Sequence, residues 1–174
     1  MRLLIRADGG GAVGTGHVMR CLALAQAVQD ARAPVTFATA MDSPTLEEHL
    51  RLEGVQVVHL SVEPGSQVDA EQTAGLAGRL GAEWVVVDGY QFGTDYQRRL
   101  REVGLRQLVI DDHGHAGRYE VDVILNQNLY ADQALYPDRA PTTRLLLGTR
   151  YAMLRREFVH WQDWHRQIPA TAQK

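Results

Sequence analysis

LLIRADGGGAVGTGHVMRCLALAQAVQD, residues 3–30, joins a short apolar run to a glycine-rich loop and then to a segment with helical periodicity. Residues 3–7 have the length and apolar content of a buried strand. From residue 17 to residue 30, Val18, Cys21, Leu22, Ala25 and Val28 recur at the spacing of a single helix face. Strand, loop and helix therefore form one unit, and the rest of the chain repeats that order.

Residues 34–40 (PVTFATA) form the next predicted strand, followed by a helix over 45–52 that Gly54 ends. A third strand is expected over 55–60, an exposed loop over 61–67 (SVEPGSQ), and a helix over 69–80 weakened by Gly75 and Gly78. Residues 84–87 and 107–110 are nearly continuous apolar runs, as strands covered on both faces of a parallel sheet must be. A helix over 94–103 separates them. Strands are expected again over 121–125 and 144–147, and a terminal helix over 157–166. The alternation specifies an α/β fold, a Rossmann-like parallel sheet flanked by helices with right-handed crossovers.

Composition narrows the function classes. The 174 residues suffice for one well-buried domain, and 45% hydrophobic with 22% charged residues is ordinary for a globular protein. A net charge of −3 leaves no basic surplus for a nucleic-acid partner, although helix N-termini and loop amides hold phosphate without one. Cys21 is the single cysteine, so no internal disulfide forms. No apolar run reaches the roughly 20 residues of a membrane helix. The first fifteen residues do not read as a signal peptide, so a cytoplasmic location without a membrane partner is expected.

In open parallel sheets, ligands bind beyond the carboxyl ends of the strands. The residues that follow the predicted strands are Asp8 with the glycine loop, Asp88-Gly89-Tyr90, Asp111-Asp112-His113 and Asn126-Gln127-Asn128. Each is also an ordinary turn or cap sequence, but four polar segments on one rim mark a site. The glycine loop is neither a dinucleotide fingerprint nor a P-loop. GxGxxG fits it only by chance, no acidic residue ends the second strand, and GKS or GKT is absent. What remains is a loop closing with Gly14-Thr15-Gly16, whose small residues give a ligand clearance, and a histidine, His17, in the first turn of a helix. The positive end of the helix disfavours the imidazolium, so His17 reads as a proton acceptor. Asp111, Asp112, His113 and His115 lie together without a second ligand cluster elsewhere, and DDHGH is expected to be a solvated loop that holds no metal. Phe158, Trp161 and Trp164 have helical spacing and are expected to pack in the core or on an interdomain face.

RADGGGAVGTGHVMRCLALA, VVVDGY, VIDD, ILNQN and LLGTRYAMLRREF, in this order and spacing, resemble the N-terminal half of the UDP-2,4-diacetamido-2,4,6-trideoxy-beta-L-altropyranose hydrolases of pseudaminic acid biosynthesis. The likeness runs over about residues 1–158, and GTGHVMRC is its most specific block. It implies the N-terminal half of a GT-B-type fold, in which two Rossmann-like domains face a cleft. It also implies a hydrolysis that needs no metal or other cofactor, with water attacking the anomeric carbon and UDP leaving. His17 falls on the proposed base of that family. Asp8, Gly14, Thr15, Gly16, Arg20, Asp88, Tyr90, Asp111 and Asn126 are expected to bind substrate, orient the water or hold the His17 tautomer. Residues 1–158 are expected to be the domain that carries the base and 159–174 an interdomain segment. The domain that supplies most nucleotide contacts is expected to lie outside this chain. Arg155-Arg156-Glu157 departs from the family pattern, which has a proline before the acidic residue. The alternatives are a GT-B-like glycosyltransferase domain, in which His17 deprotonates an acceptor hydroxyl, and a sugar-binding domain without catalysis.

Overall fold

A computed structural model describes residues 1–11, 14–40, 42–161 and 163–165. Seven parallel strands form one sheet: β1 (Leu3–Ala7), β2 (Val35–Thr39), β3 (Gln56–His59), β4 (Trp84–Asp88), β5 (Arg106–Ile110), β6 (Val123–Asn126) and β7 (Arg144–Leu147), in the order β3-β2-β1-β4-β5-β6-β7. Among the described residues four α-helices join the first five strands in turn: α1 (Gly16–Asp30), α2 (Pro44–Leu52), α3 (Gln67–Leu80) and α4 (Thr94–Glu102).

The near-continuous apolar strands are explained by two cores, one on each face. Successive side chains alternate between them, because a strand repeats every second residue. Leu4, Val85, Val87, Val109 and Ile124 pack with Leu76, Tyr96 and Leu100 of α3 and α4. Leu3, Ile5, Val86, Ile110 and Leu125 pack with Val18, Cys21 and Leu22 of α1 and Leu50 of α2.

Helix α3 forms despite Gly75 and Gly78 because both its ends are secured. The Ser66 hydroxyl accepts from the Asp69 amide at 3.1 Å, the Asp69 carboxylate accepts from the Gly65 amide at 2.9 Å, and Gly81 closes the helix in the left-handed conformation. The sixth strand begins at Val123 rather than residue 121. Val121 and Asp122 are instead tied down by side chains, with Thr143 donating to the Val121 carbonyl and Asp122 accepting from the Gln107 amide.

The expected terminal α-helix is not observed. Arg156–Trp161 is a 3-10 helix, and Arg166, the expected last residue, lies outside the described residues. A helix this short depends on burying an apolar face, and Phe158, Trp161 and Trp164 are exposed.

One buried ion cluster joins β1 to α3. Arg6, fully buried, donates to Asp8 at 2.7 Å and makes two bonds to Asp69, at 2.9 and 2.8 Å. Its guanidinium also lies 4.9 Å from the centre of the Phe92 ring. Burial alone would raise the Asp8 carboxyl, but Arg6, the Ala40 amide and Thr39 outweigh it and hold the group below its ordinary range. Asp111 is held low against burial in the same way, by His115, Tyr119 and the Gly114 amide.

Arg6→Met would leave two carboxylates buried without their cation. Its expected cost is about 3–5 kcal/mol in urea unfolding followed by circular dichroism, and a loss below about 1 kcal/mol would contradict the role given to Arg6. Because Asp8 and Asp111 titrate lower when folded than unfolded, their contribution is complete above the unfolded value of about 3.9 and disappears as pH falls through the folded values. The urea midpoint is therefore expected to stay level from neutral pH down to about 5 and to drop below about 4. A midpoint independent of pH in that range would contradict it.

Candidate active site

Strand order reverses at β1, which pairs with β2 on one side and β4 on the other. The connections leaving β1 and β4 therefore part at this point and open a crevice at the carboxyl edge. Ala7 and Asp88, the last residues of β1 and β4, are in register there.

The glycine loop spans the gap between β1 and α1. The Gly10 amide donates to the Gly14 carbonyl at 2.8 Å, a closure that puts Gly14 at φ 75°. A Cβ on Gly9 would lie 2.5 Å from Val18 Cγ2, so this glycine lets the loop press against α1. Clearance for a ligand, expected of the whole run, therefore describes Gly16 but not Gly9, whose space is filled by the protein itself. Thr15 caps α1 without a side-chain hydrogen bond, and no acidic residue occupies the first turn.

His17 projects from that turn onto the end of β4. Its Nδ1 lies 2.7 Å from Asp88 Oδ1, and Asp88 is completely buried. Arg20, one helical turn on, grips the same carboxylate through Nε and Nη2, both at 2.6 Å. Arg20 Nη2 also lies 3.1 Å from His17 Nδ1. A carboxylate only accepts, so the nitrogen 2.7 Å from it carries the proton, and the Arg20 contact follows from both groups sharing Oδ1. The tautomer is thereby set. In the neutral imidazole Nε2 is then the acceptor, and it has no hydrogen-bond partner among the described residues. The Cys21 thiol completes the shell of Asp88 at 3.4 Å, and burial together with that carboxylate pushes it well up, away from thiolate chemistry.

Above this pair lies an open cleft of about 350 Å³ lined by Gly16, His17, Arg20, Tyr90, Asp112 and Gln127. The Tyr90 ring meets the His17 ring edge-on at 5.3 Å between centres and lies 4.9 and 5.6 Å from His113 and His115. Its hydroxyl donates to Asp112 at 3.2 Å; burial and the Asp112 charge raise the phenol further, so it stays protonated. Asp112 also receives Arg20 at 2.8 and 2.9 Å and Asn128 at 2.8 Å. Burial opposes its ionisation, but Arg20, Asn128 and Tyr90 prevail and keep its carboxyl below the ordinary range.

A larger depression of about 540 Å³ lies between α3 and α4, but both its arginines are paired, Arg98 with Asp95 and Arg99 with Glu71. Among the described residues, no three His, Cys, Asp or Glu side chains are arranged to hold a metal ion. No helix there is long and apolar enough to cross a membrane.

Of the residues singled out in the sequence, Gly16, His17, Arg20 and Tyr90 meet at the cleft, with Asp88 directly beneath. Gly14 and Thr15 are exposed on the approach loop. Asp8, Asp111 and Asn126 are turned inward. Asp8 is taken up by Arg6, Thr39, the Ala40 amide and Gln91. Asp111 accepts from the amides of His113, Gly114 and His115 and from the Tyr119 hydroxyl, and His115 Nδ1 lies 2.7 Å from it. DDHGH is thus a turn wound around a buried carboxylate, not a solvated loop. Asn126 donates to the Asp112 carbonyl and to Tyr136 and accepts from Asn128, so it shapes the wall without lining it. Asp112 and Gln127 also line the cleft; both lie in the rim segments, but the expected substrate-binding set took their neighbours Asp111 and Asn126 instead. Their position directly after Asp111 and Asn126 was the available signal.

No protein-family model matches the chain. Over 163 residues, 91% of its length, it is 28% identical to the UDP-2,4-diacetamido-2,4,6-trideoxy-beta-L-altropyranose hydrolase of Campylobacter jejuni. The match spans 53% of that protein, about half its length. Among solved structures, MurG of Acinetobacter baumannii superposes with a TM-score of 0.56 at 13% identity, covering 83% of this chain and 44% of MurG. Anabaena HepE, in complex with UDP, superposes at 0.59 with 12% identity, covering 83% of this chain and 43% of HepE. The chain is thus similar in sequence to about half of a UDP-diacetamido-trideoxy-altropyranose hydrolase, and its fold is that of one Rossmann-like half of a GT-B-type molecule.

Proposed function

We propose that this chain carries the base of a hydrolase that cleaves a UDP-linked 2,4-diacetamido-2,4,6-trideoxy sugar into UDP and the free sugar, a step in making a nonulosonic acid of the pseudaminic type. The supporting observation is the His17 imidazole, held through Nδ1 by Asp88 at 2.7 Å in a residue that lines an open cleft. A water in that cleft loses its proton to Nε2 as its oxygen bonds to the anomeric carbon, and the bond to the UDP oxygen breaks. Asp88 offsets the charge that builds on the imidazole, and Arg20 keeps Asp88 in place. The uncapped first turn of α1 and the glycine loop offer amides to a diphosphate. Residues 1–158 form the domain that carries the base. A second domain, the counterpart of the other half of the Campylobacter protein, supplies the remaining contacts to the leaving group.

The 174-residue chain alone is expected to release UDP no faster than background, because half of the leaving-group contacts are missing. In the protein with both halves, His17→Ala is expected to lower kcat by about 10²–10⁴ while the protein stays folded with only a modest drop in urea midpoint from the hydrogen bond lost to Asp88. Asp88→Asn is expected to fall in the same range, since it no longer holds the proton on Nδ1. Near-wild-type UDP release by His17→Ala would remove the assignment. Release that requires an added acceptor sugar would make the protein a transferase.

A further inference from the structure

Gln127 lines the cleft, yet neither catalysis nor the pairing around Asp88 uses it. Its Oε1 accepts from the Met153 amide at 2.9 Å. A backbone N–H only donates, so this contact settles which way the side-chain amide points. The NH2 end is left over, and it has no partner among the described residues. In the same lining, the Tyr90 hydroxyl donates its hydrogen bond to Asp112 and keeps its proton, so its oxygen is left to accept. Among the described residues that line the cleft, Arg20 is the permanent cation, and it is spent on Asp88 and Asp112. A diphosphate therefore finds no free positive charge here. A neutral group that accepts at one end and donates at the other finds both partners.

We infer that Gln127 and Tyr90 form the pocket that reads an N-acyl group on the sugar, with Gln127 Nε2 donating to the acyl oxygen and Tyr90 Oη accepting from the acyl N–H. This rests on the hydrolase assignment for the identity of the sugar; a secondary amide carries its acceptor and its donor on separate atoms and so can meet both side chains at once, whereas a hydroxyl offers one oxygen to both. Gln127 is a specificity residue, distinct in role from His17. Its amide orientation is built in by Met153, so the donor is in place before the ligand arrives.

Gln127→Glu keeps the acceptor that Met153 needs and replaces the donor by a carboxylate oxygen, and the added charge acts on both UDP-sugars alike and drops out of their ratio, so the preference separates recognition from packing. In ¹H–¹⁵N spectra of the 174-residue chain, the Gln127 side-chain NH2 pair is identified by its loss in Gln127→Glu. Titration with the free diacetamido sugar at millimolar concentration is expected to shift that pair, while the analogue with hydroxyls in place of both acetamido groups leaves it unmoved. In the two-domain protein, the kcat/KM preference for the acetamido over the hydroxyl UDP-sugar is expected to fall about 3- to 10-fold in Gln127→Glu, the worth of one hydrogen bond. An NH2 pair unmoved by the diacetamido sugar, or moved equally by both sugars, overturns the inference. So does an unchanged preference in the variant. Absence of UDP release by the wild-type protein overturns the hydrolase assignment instead, and the NH2 titration then decides the role of Gln127 by itself.

Discussion

Asp88 is the constraint around which the site is assembled. It ends β4 at the point where the strand order reverses, it has no exposure to solvent, and it receives an imidazole, a guanidinium and a thiol. A carboxylate so placed survives burial only when its lone pairs are filled by charged or strongly polar donors. That requirement orients His17 and Arg20 together. Because they sit three residues apart on α1, one helical turn presents both to the same acceptor. His17 is thus positioned by the electrostatic needs of a neighbour, and its second nitrogen is free for chemistry.

The scaffold beneath explains why this geometry is rigid. Two cores pack against opposite faces of a sheet with seven parallel strands, and the Arg6 cluster ties the end of β1 to the start of α3. The same cluster reaches the site. Asp8 receives Gln91, which follows Tyr90, and Gly65 lies so close to the Gln91 carbonyl that a Cβ there would be 2.3 Å from it. The loop carrying Tyr90 is thereby set by charges at the base of the neighbouring strand. Asp111 does the same for the next loop, winding three amides around itself so that Asp112 faces the cleft. Inward carboxylates fix the loops and outward side chains line the cavity.

The order of strands and helices was legible because a parallel sheet buried on both faces leaves unbroken apolar runs, as in WVVVD, and each helix carries its own stripe. Asp88 and Tyr90 were legible because they follow such a run, and His17 because it opens the helix that follows the glycine loop. The division of labour among the acids was not, because it is decided by partners far away in the chain. Arg6 and Asp69 are 63 residues apart, and Arg20 and Asp112 are 92 apart. Neither Asp8 nor Asp111 differs locally from a residue that faces solvent. The glycine run was ambiguous for a related reason, since only packing distinguishes Gly9, pressed on Val18, from Gly16, open to the cleft. The aromatic segment that includes Phe158 and Trp161 reads as a helix from its spacing alone, but that spacing has effect only where a surface covers it.

In the reaction we propose, water activated at His17 attacks the anomeric carbon. Hydrolysis of the UDP-diacetamido sugar by the two-domain protein in ¹⁸O-labelled water tests it most directly, with mass spectrometry of both products after a single turnover. The expected result is label on the anomeric hydroxyl of the free sugar and none in UDP. Label in the β-phosphate of UDP would place the attack on phosphorus and contradict the claim.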